Sequence, residues 1–439
     1  MMEGKRFFRQ PEKNETLAQR QQEKIVKLNH LHQGLARFSP QWWVGKGEIV
    51  GLVVLFLLNL YLLLPFFGHQ DQTNVFSAPV VPLLVDITSP FVSYSYGVRV
   101  ILLTFLLFFP FSFYLLAKAV ARRKLIAFLA SFLVILPIGV FLPPRLNLGI
   151  LAEDGAHIAS LTLTPLVCLF LLEFLRQGRF WAGVFCALGT TAVALTSPFG
   201  LLVLVTFMTV ISFSETLLGR GRIKAMRFLV VLVLAAGFSA FWYNPKFIIL
   251  TLWSPQGALV GRAFSTLLPV SFFLLPLLGV FGFLIFENRA YLQPLFVAFF
   301  LTVCFGLFSL GTGLSHPSPS RFLPALGISL SLLLGILAVQ IFDFLRFSPT
   351  LGKLKVSFHG RQLFAFSFLS LLFIIMVIII LIGRQPFPFG ETQILGVNAD
   401  KTVGIWEIKQ QTSRLESLVG CLISAMAVLS TILLRLKLR

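Results

Sequence analysis

The chain has 439 residues, 57% of them hydrophobic and only 12% charged, with a mean hydropathy of +0.89. So few charges could not cover the surface of a water-soluble protein of this size, and the composition argues against one. A formal charge of +19 and a pI near 10.3 invite a nucleic-acid reading, but the placement of the basic residues points elsewhere.

An apolar stretch of ~20 residues matches the ~30 Å hydrocarbon core of a bilayer at ~1.5 Å per helical residue. Such stretches fall at 49–67, 98–117, 125–142, 158–175, 180–197, 199–218, 228–244, 266–286, 291–309, 322–342, 363–382 and 417–433. The expected fold is all-α, a polytopic integral membrane protein of about 12 transmembrane helices. Residues 1–48 form a basic arm and 49–439 a single transmembrane domain. Ser197-Pro198 must reverse the chain between two spans, which Pro and the nearby Gly200 suit.

Alternating these spans from a cytoplasmic N-terminus puts 27 basic and nine acidic residues inside, a net +18. Nine basic and eight acidic residues fall outside, a net +1. Such a positive-inside bias fits an even number of spans with both termini cytoplasmic. The basic loops then face anionic headgroups of the inner leaflet rather than nucleic acid. The expected outer loops are 68–97, 143–157, 245–265, 310–321 and 383–416.

No cleavable signal peptide is expected, because the first apolar span follows ~48 polar residues and is too long for a signal core. The stretch 14–35 carries Leu17, Ile25, Leu28 and Leu35 among charges, which suits an interfacial amphipathic helix or a solvated helical arm. Cys168, Cys186, Cys304 and Cys421 all lie within spans and read as small buried apolar residues. Pro110, Pro137, Pro165 and Pro276 read as helix kinks. No P-loop, HExxH or GxSxG string occurs.

The span centres carry almost no charge, and Glu173 and Glu215 sit near cytoplasmic ends. A transporter usually needs polar groups at the midplane, so this argues against one. Ionisable groups gather instead on the outer face. Asp71 follows span one, and Asp86 precedes Ile-Thr-Ser-Pro. The loop PPRLNLGILAEDGAHIAS holds Arg145, Glu153, Asp154 and His157. Lys246, Arg262, His316 and Arg321 follow in later loops. At an interface, a carboxylate can deprotonate an acceptor hydroxyl, while Arg and Lys hold a phosphate leaving group. Each residue also has a plainer role open to it. Asp71 fits a loop acid, Asp86 and the pair Glu153-Asp154 fit helix caps, His157 an interface residue, and Arg321 a snorkelling cation. Convergence of Asp71, Glu153 and Asp154 would suit Mg²⁺ or Mn²⁺.

Four stretches carry a likeness to a known group: Asp71 with SPFVSYSYG; FYLLAKAVARRKLIAFLASFLVILP; AEDGAHIASLTLTPLVCLFLLEFLRQGR through ALTSPFGLLVL; and PSRFLPALGISLSLLLG. In these the chain resembles the GT-C superfamily of polytopic glycosyltransferases. It is most similar to the prokaryotic membrane proteins described as related to 6-pyruvoyl-tetrahydropterin synthase. The resemblance implies Asp71 as catalytic base, Glu153 or Asp154 as a second acidic motif linked to metal, and Arg321 as a contact to a polyprenyl-phosphate donor. Lys246, Arg262, His316 and His157 would be further substrate contacts. It also implies a lipid-linked sugar donor, an acceptor on the outer face and a prokaryotic plasma membrane. The chain departs from that group in a short first outer loop and in having no acid paired beside Asp71. A transporter or lipid flippase, and a non-catalytic scaffold subunit with a membrane-protein partner, are the alternatives.

Overall fold

The computed structural model describes residues 46–68, 78–151, 154–217, 221–253, 292–310, 319–347 and 412–437. The described residues form thirteen α-helices and no strand. In chain order they are α1 Lys46–Leu63, α2 Val80–Thr88, α3 Tyr94–Ala121, α4 Lys124–Ile135, α5 Pro143–Leu146, α6 Gly155–Gln177 and α7 Phe180–Thr196. There follow α8 Pro198–Leu217, α9 Gly221–Ser239, α10 Pro245–Trp253, α11 Gln293–Leu310, α12 Leu323–Phe347 and α13 Arg414–Lys437.

Six helices are long and apolar enough to cross a membrane: 47–67, 94–121, 155–177, 198–217, 323–342 and 414–435. Helices α4, α7 and α11 are apolar but shorter. The expected spans at 266–286 and 363–382, and the arm 1–45, lie outside the described residues. This make-up suggests a multi-pass membrane protein.

Helix α6 is the centre of the bundle, packed along α3, α7 and α8. Its first turns carry Ser160, Thr162 and Thr164, all buried. Their hydroxyls donate to carbonyls of His157 (2.5 Å), Phe105 of α3 (3.0 Å) and Ser160 (3.0 Å). A polar group in an apolar interior must find such a partner. Helices α1 and α13 lie at the periphery instead. Val50, Val53, Leu57 and Tyr61 of α1, and Leu418, Leu422, Met426 and Leu433 of α13, are exposed. Such faces would be costly in water and are suited to lipid.

Side-chain contacts sort the helix ends into two groups. At one end Glu48 of α1 accepts hydrogen bonds from Lys118 (2.6 Å) and Tyr114 (2.9 Å) of α3 and pairs with Lys124 of α4 (2.5 Å). Arg176, near the end of α6, pairs with Glu215 of α8 (2.7 Å) and donates to the Ala119 carbonyl of α3 (2.9 Å). Lys224 of α9 and Gln293 of α11 also reach Glu215, at 2.9 and 2.7 Å. Glu173 pairs with Arg179, which precedes α7 (2.5 Å). At the opposite ends of the same helices, Tyr243 after α9 donates to the Ala194 carbonyl of α7 (2.7 Å). Among the described residues, Lys118, Lys124, Arg176, Arg179 and Lys224 thus belong to one group of helix ends.

Several expectations change in detail. The span at 125–142 is helical only to Ile135, because Pro137 lacks an N–H and disfavours helix in the residue before it. Pro110 and Pro165 lie inside α3 and α6, while Pro276 is outside the described residues. Helix α9 begins at Gly221, seven residues before the expected span, and so takes Arg222, Lys224 and Arg227 into its first turns. The stretches 68–97 and 245–265, expected as outer loops, contain the helices α2 and α10. Three cysteines are buried and free, but Cys421 is exposed on the outward face of α13. Ser197 alone joins α7 to α8, and its hydroxyl accepts the Gly200 N–H (3.1 Å), so the tight reversal stands as expected.

Candidate functional site

The N-terminus of α6 is set by the turn before it. After α5, residues Asn147–Leu151 form a π-type turn, and the Asp154 N–H donates to the Leu148 carbonyl (2.9 Å). Asp154 then occupies the position that caps α6, and its own carbonyl accepts the His157 N–H (3.1 Å). Its side chain makes no capping bond. The carboxylate goes instead to Arg321, in the single 3₁₀ turn Pro319–Phe322 that leads into α12.

Arg321 donates from Nε at 2.7 Å and from Nη2 at 2.6 Å, both to the same oxygen, Asp154 Oδ2. The pairing therefore uses one of the two carboxylate oxygens and leaves part of the guanidinium edge for another acceptor. The guanidinium carbon lies 4.4 Å from the centre of the Phe199 ring, a cation–π contact. Phe199, in the first turn of α8, is held there by the Ser197 turn. Gly200 makes this approach feasible, because a β-carbon there would overlap the Ser160 hydroxyl of α6.

His157 is fully buried one turn into α6. Its ring meets Phe199 edge-on with centroids 4.7 Å apart, and Phe199 packs on Phe322 at 4.9 Å. Phe308 at the end of α11 closes the aromatic wall at 5.1 Å from Phe322. Nε2 of His157 lies 3.1 Å from the Arg321 carbonyl. A carbonyl only accepts, so this contact assigns the proton to Nε2 and leaves Nδ1 as a lone-pair acceptor. Nδ1 is buried and has no hydrogen-bond partner among the described residues. The site thus combines a partly engaged guanidinium, a carboxylate and a bare imidazole nitrogen.

Asp71, Glu153, Arg262 and His316 lie outside the described residues. Lys246 is exposed and its acidic partner is Glu416 of α13, at 4.0 Å. Asp86 is exposed within α2 and does not cap it; its backbone carbonyl accepts the Ser89 hydroxyl (2.7 Å). Arg145 is buried rather than displayed on an outer loop. Its guanidinium donates to the carbonyls of Val134 and Phe141 and sits 4.3 Å from the Phe109 ring centre. Among the described residues no three His, Cys, Asp or Glu side chains come together to hold a metal, and the partner of Asp154 is Arg321.

No family model, no curated protein and no solved structure matches the chain. The resemblance to GT-C glycosyltransferases therefore rests on the four sequence stretches alone.

Sequence reasoning missed Phe199, which contacts both Arg321 and His157. The string Ser-Pro-Phe-Gly was visible as a turn, but among 49 phenylalanines nothing singles out that ring. It also missed the burial of Arg145. The signal there was the apolar run on both sides of Pro143-Pro144-Arg145, unlike a solvated loop.

Proposed function

We propose that the chain is a twelve-span protein of a prokaryotic plasma membrane with both termini cytoplasmic. It transfers a sugar from a polyprenyl-phosphate-linked donor to an acceptor on the outer face. The observation that carries this reading is the meeting of Arg321, Asp154 and His157 at the ends of α6 and α12 opposite the basic layer. Arg321 is the phosphate contact. Its ion pair is an exchangeable one, in which a donor phosphate takes the place of Asp154 Oδ2 on the guanidinium while Phe199 keeps the plane of the group fixed. The bare Nδ1 of His157 accepts from a hydroxyl of the donor.

In the transfer step an acceptor hydroxyl oxygen bonds to the anomeric carbon of the sugar. The bond from that carbon to the phosphate oxygen breaks, and the lipid phosphate leaves with the electron pair, stabilised by Arg321. The hydroxyl proton passes to a carboxylate acting as general base, for which Asp71 is the candidate.

The test is sugar transfer by protein reconstituted with a lipid-linked donor. Asp71→Asn abolishes transfer and leaves the fold intact. Transfer at the wild-type rate by this variant removes Asp71 from the mechanism. Loss of transfer in Arg321→Ala with normal Asp71→Asn behaviour would keep the donor site and reassign the base.

A further inference from the structure

The basic ends of α7, α9 and α13 gather three arginines that the site above does not use. Arg435, in the last turns of α13, stacks its guanidinium carbon 4.4 Å from the centre of the Trp181 ring in α7. Arg179 precedes α7, and its side chain stays 45% exposed although it pairs with Glu173 at 2.5 Å. Arg227 reaches from α9 to the end of α6 and donates to the carbonyls of Leu175 (2.8 Å) and Phe174 (3.3 Å). Its guanidinium lies against Gly178, whose φ of +69° and missing β-carbon admit it. Glu173 is the one carboxylate paired with any of the three among the described residues, so the cluster is net positive. Helix α7 begins here with no side-chain cap, which adds the positive end of its dipole.

An apolar track leads away from these charges. Trp181, Phe185 and Leu188 are all about half exposed and stand at helical spacing on one face of α7. The Trp181 and Phe185 rings are 6.0 Å apart and tilted by only 28°. Cations at the head and a continuous apolar stripe below match the two parts of a phospholipid. A free phosphate would use only the first. Tryptophan, with an apolar body and one N–H, suits the boundary between the two.

We infer that this face binds an anionic phospholipid of the inner leaflet. Its phosphate sits against Arg435 and Arg179, and its acyl chains lie along Trp181, Phe185 and Leu188. Stacking on Trp181 fixes the Arg435 plane and leaves its N–H edge to fork onto phosphate oxygens. The inference rests on the membrane reading above.

The test is native mass spectrometry of the purified protein from bilayers of equal phosphatidylglycerol and phosphatidylcholine. The wild type retains phosphatidylglycerol in excess. Arg435→Gln lowers that excess by about fivefold, the effect of one basic group at an anionic surface, and Arg435→Lys restores part of it. Glu173→Gln raises the excess. Arg122→Gln, which removes the same charge at the α3–α4 turn, leaves it unchanged. No preference in the wild type, or equal losses in Arg122→Gln and Arg435→Gln, overturns the inference. Failure of the protein to enter bilayers overturns the membrane reading and this inference together.

Discussion

Arg321 and Asp154, 167 residues apart in the chain, are joined by two hydrogen bonds that end on a single carboxylate oxygen. This contact ties the start of α6 to the turn before α12. It also decides what Asp154 does: a residue positioned to cap its helix spends its side chain on a distant cation instead.

Asp154→Asn should lower thermal stability by about 1–3 kcal/mol, because Arg321 loses its charged partner while keeping Phe199. The reversed pair Asp154→Arg with Arg321→Asp should recover part of that loss, measured by thermal unfolding in detergent. Additive losses in the double variant would mean that the two residues do not interact.

Glu215 should be more costly to neutralise. It is buried and holds Arg176, Lys224 and Gln293, so it links α8 to α6, α9 and α11. Glu215→Gln leaves two cations without their carboxylate in a largely closed setting and should cost about 3 kcal/mol. Chemical or thermal unfolding measures this. A variant as stable as the wild type would show that the network carries no net stability.

At Gly200 the constraint is steric. A β-carbon there overlaps the Ser160 hydroxyl and stands 2.5 Å from its β-carbon. Gly200→Ala should therefore destabilise by about 1–3 kcal/mol as an overpacked contact. Ser160→Gly in the same chain should relieve most of that loss, even though glycine within α6 carries its own small penalty. No relief would place the cost in the Ser197 turn rather than in the contact between helices.

The two groups of helix ends predict opposite exposure across a bilayer. In a background without native cysteines, Lys246→Cys should react with an impermeant thiol reagent on intact cells. Arg222→Cys should react only after permeabilisation. The reverse pattern would invert the topology, and equal labelling of both would contradict the alternation.

The described helices show what apolar runs can and cannot announce. Long runs such as 98–117 and 158–175 became α3 and α6, because a span must satisfy its backbone internally and must match the bilayer in length. The ends of the elements were less legible. Basic residues of α9 read as loop, yet Arg222, Lys224 and Arg227 are helical; Lys224 reaches Glu215 and Arg227 the last carbonyls of α6. The pairing of Asp154 with Arg321 was not legible, since no local pattern encodes a contact between elements so distant in the chain. Arg145 shows the same gap: a charge between two spans reads as solvated, whereas packing places it among carbonyls and the ring of Phe109.

In the proposed function Arg321 forms part of a site for a lipid-linked phosphate. Native mass spectrometry of the protein, extracted gently from its own membrane beside the Arg321→Ala variant, tests it most directly. The wild type should carry a bound polyprenyl phosphate or its sugar conjugate, and the variant should lose it. Bulk phospholipid alone on both proteins would contradict it.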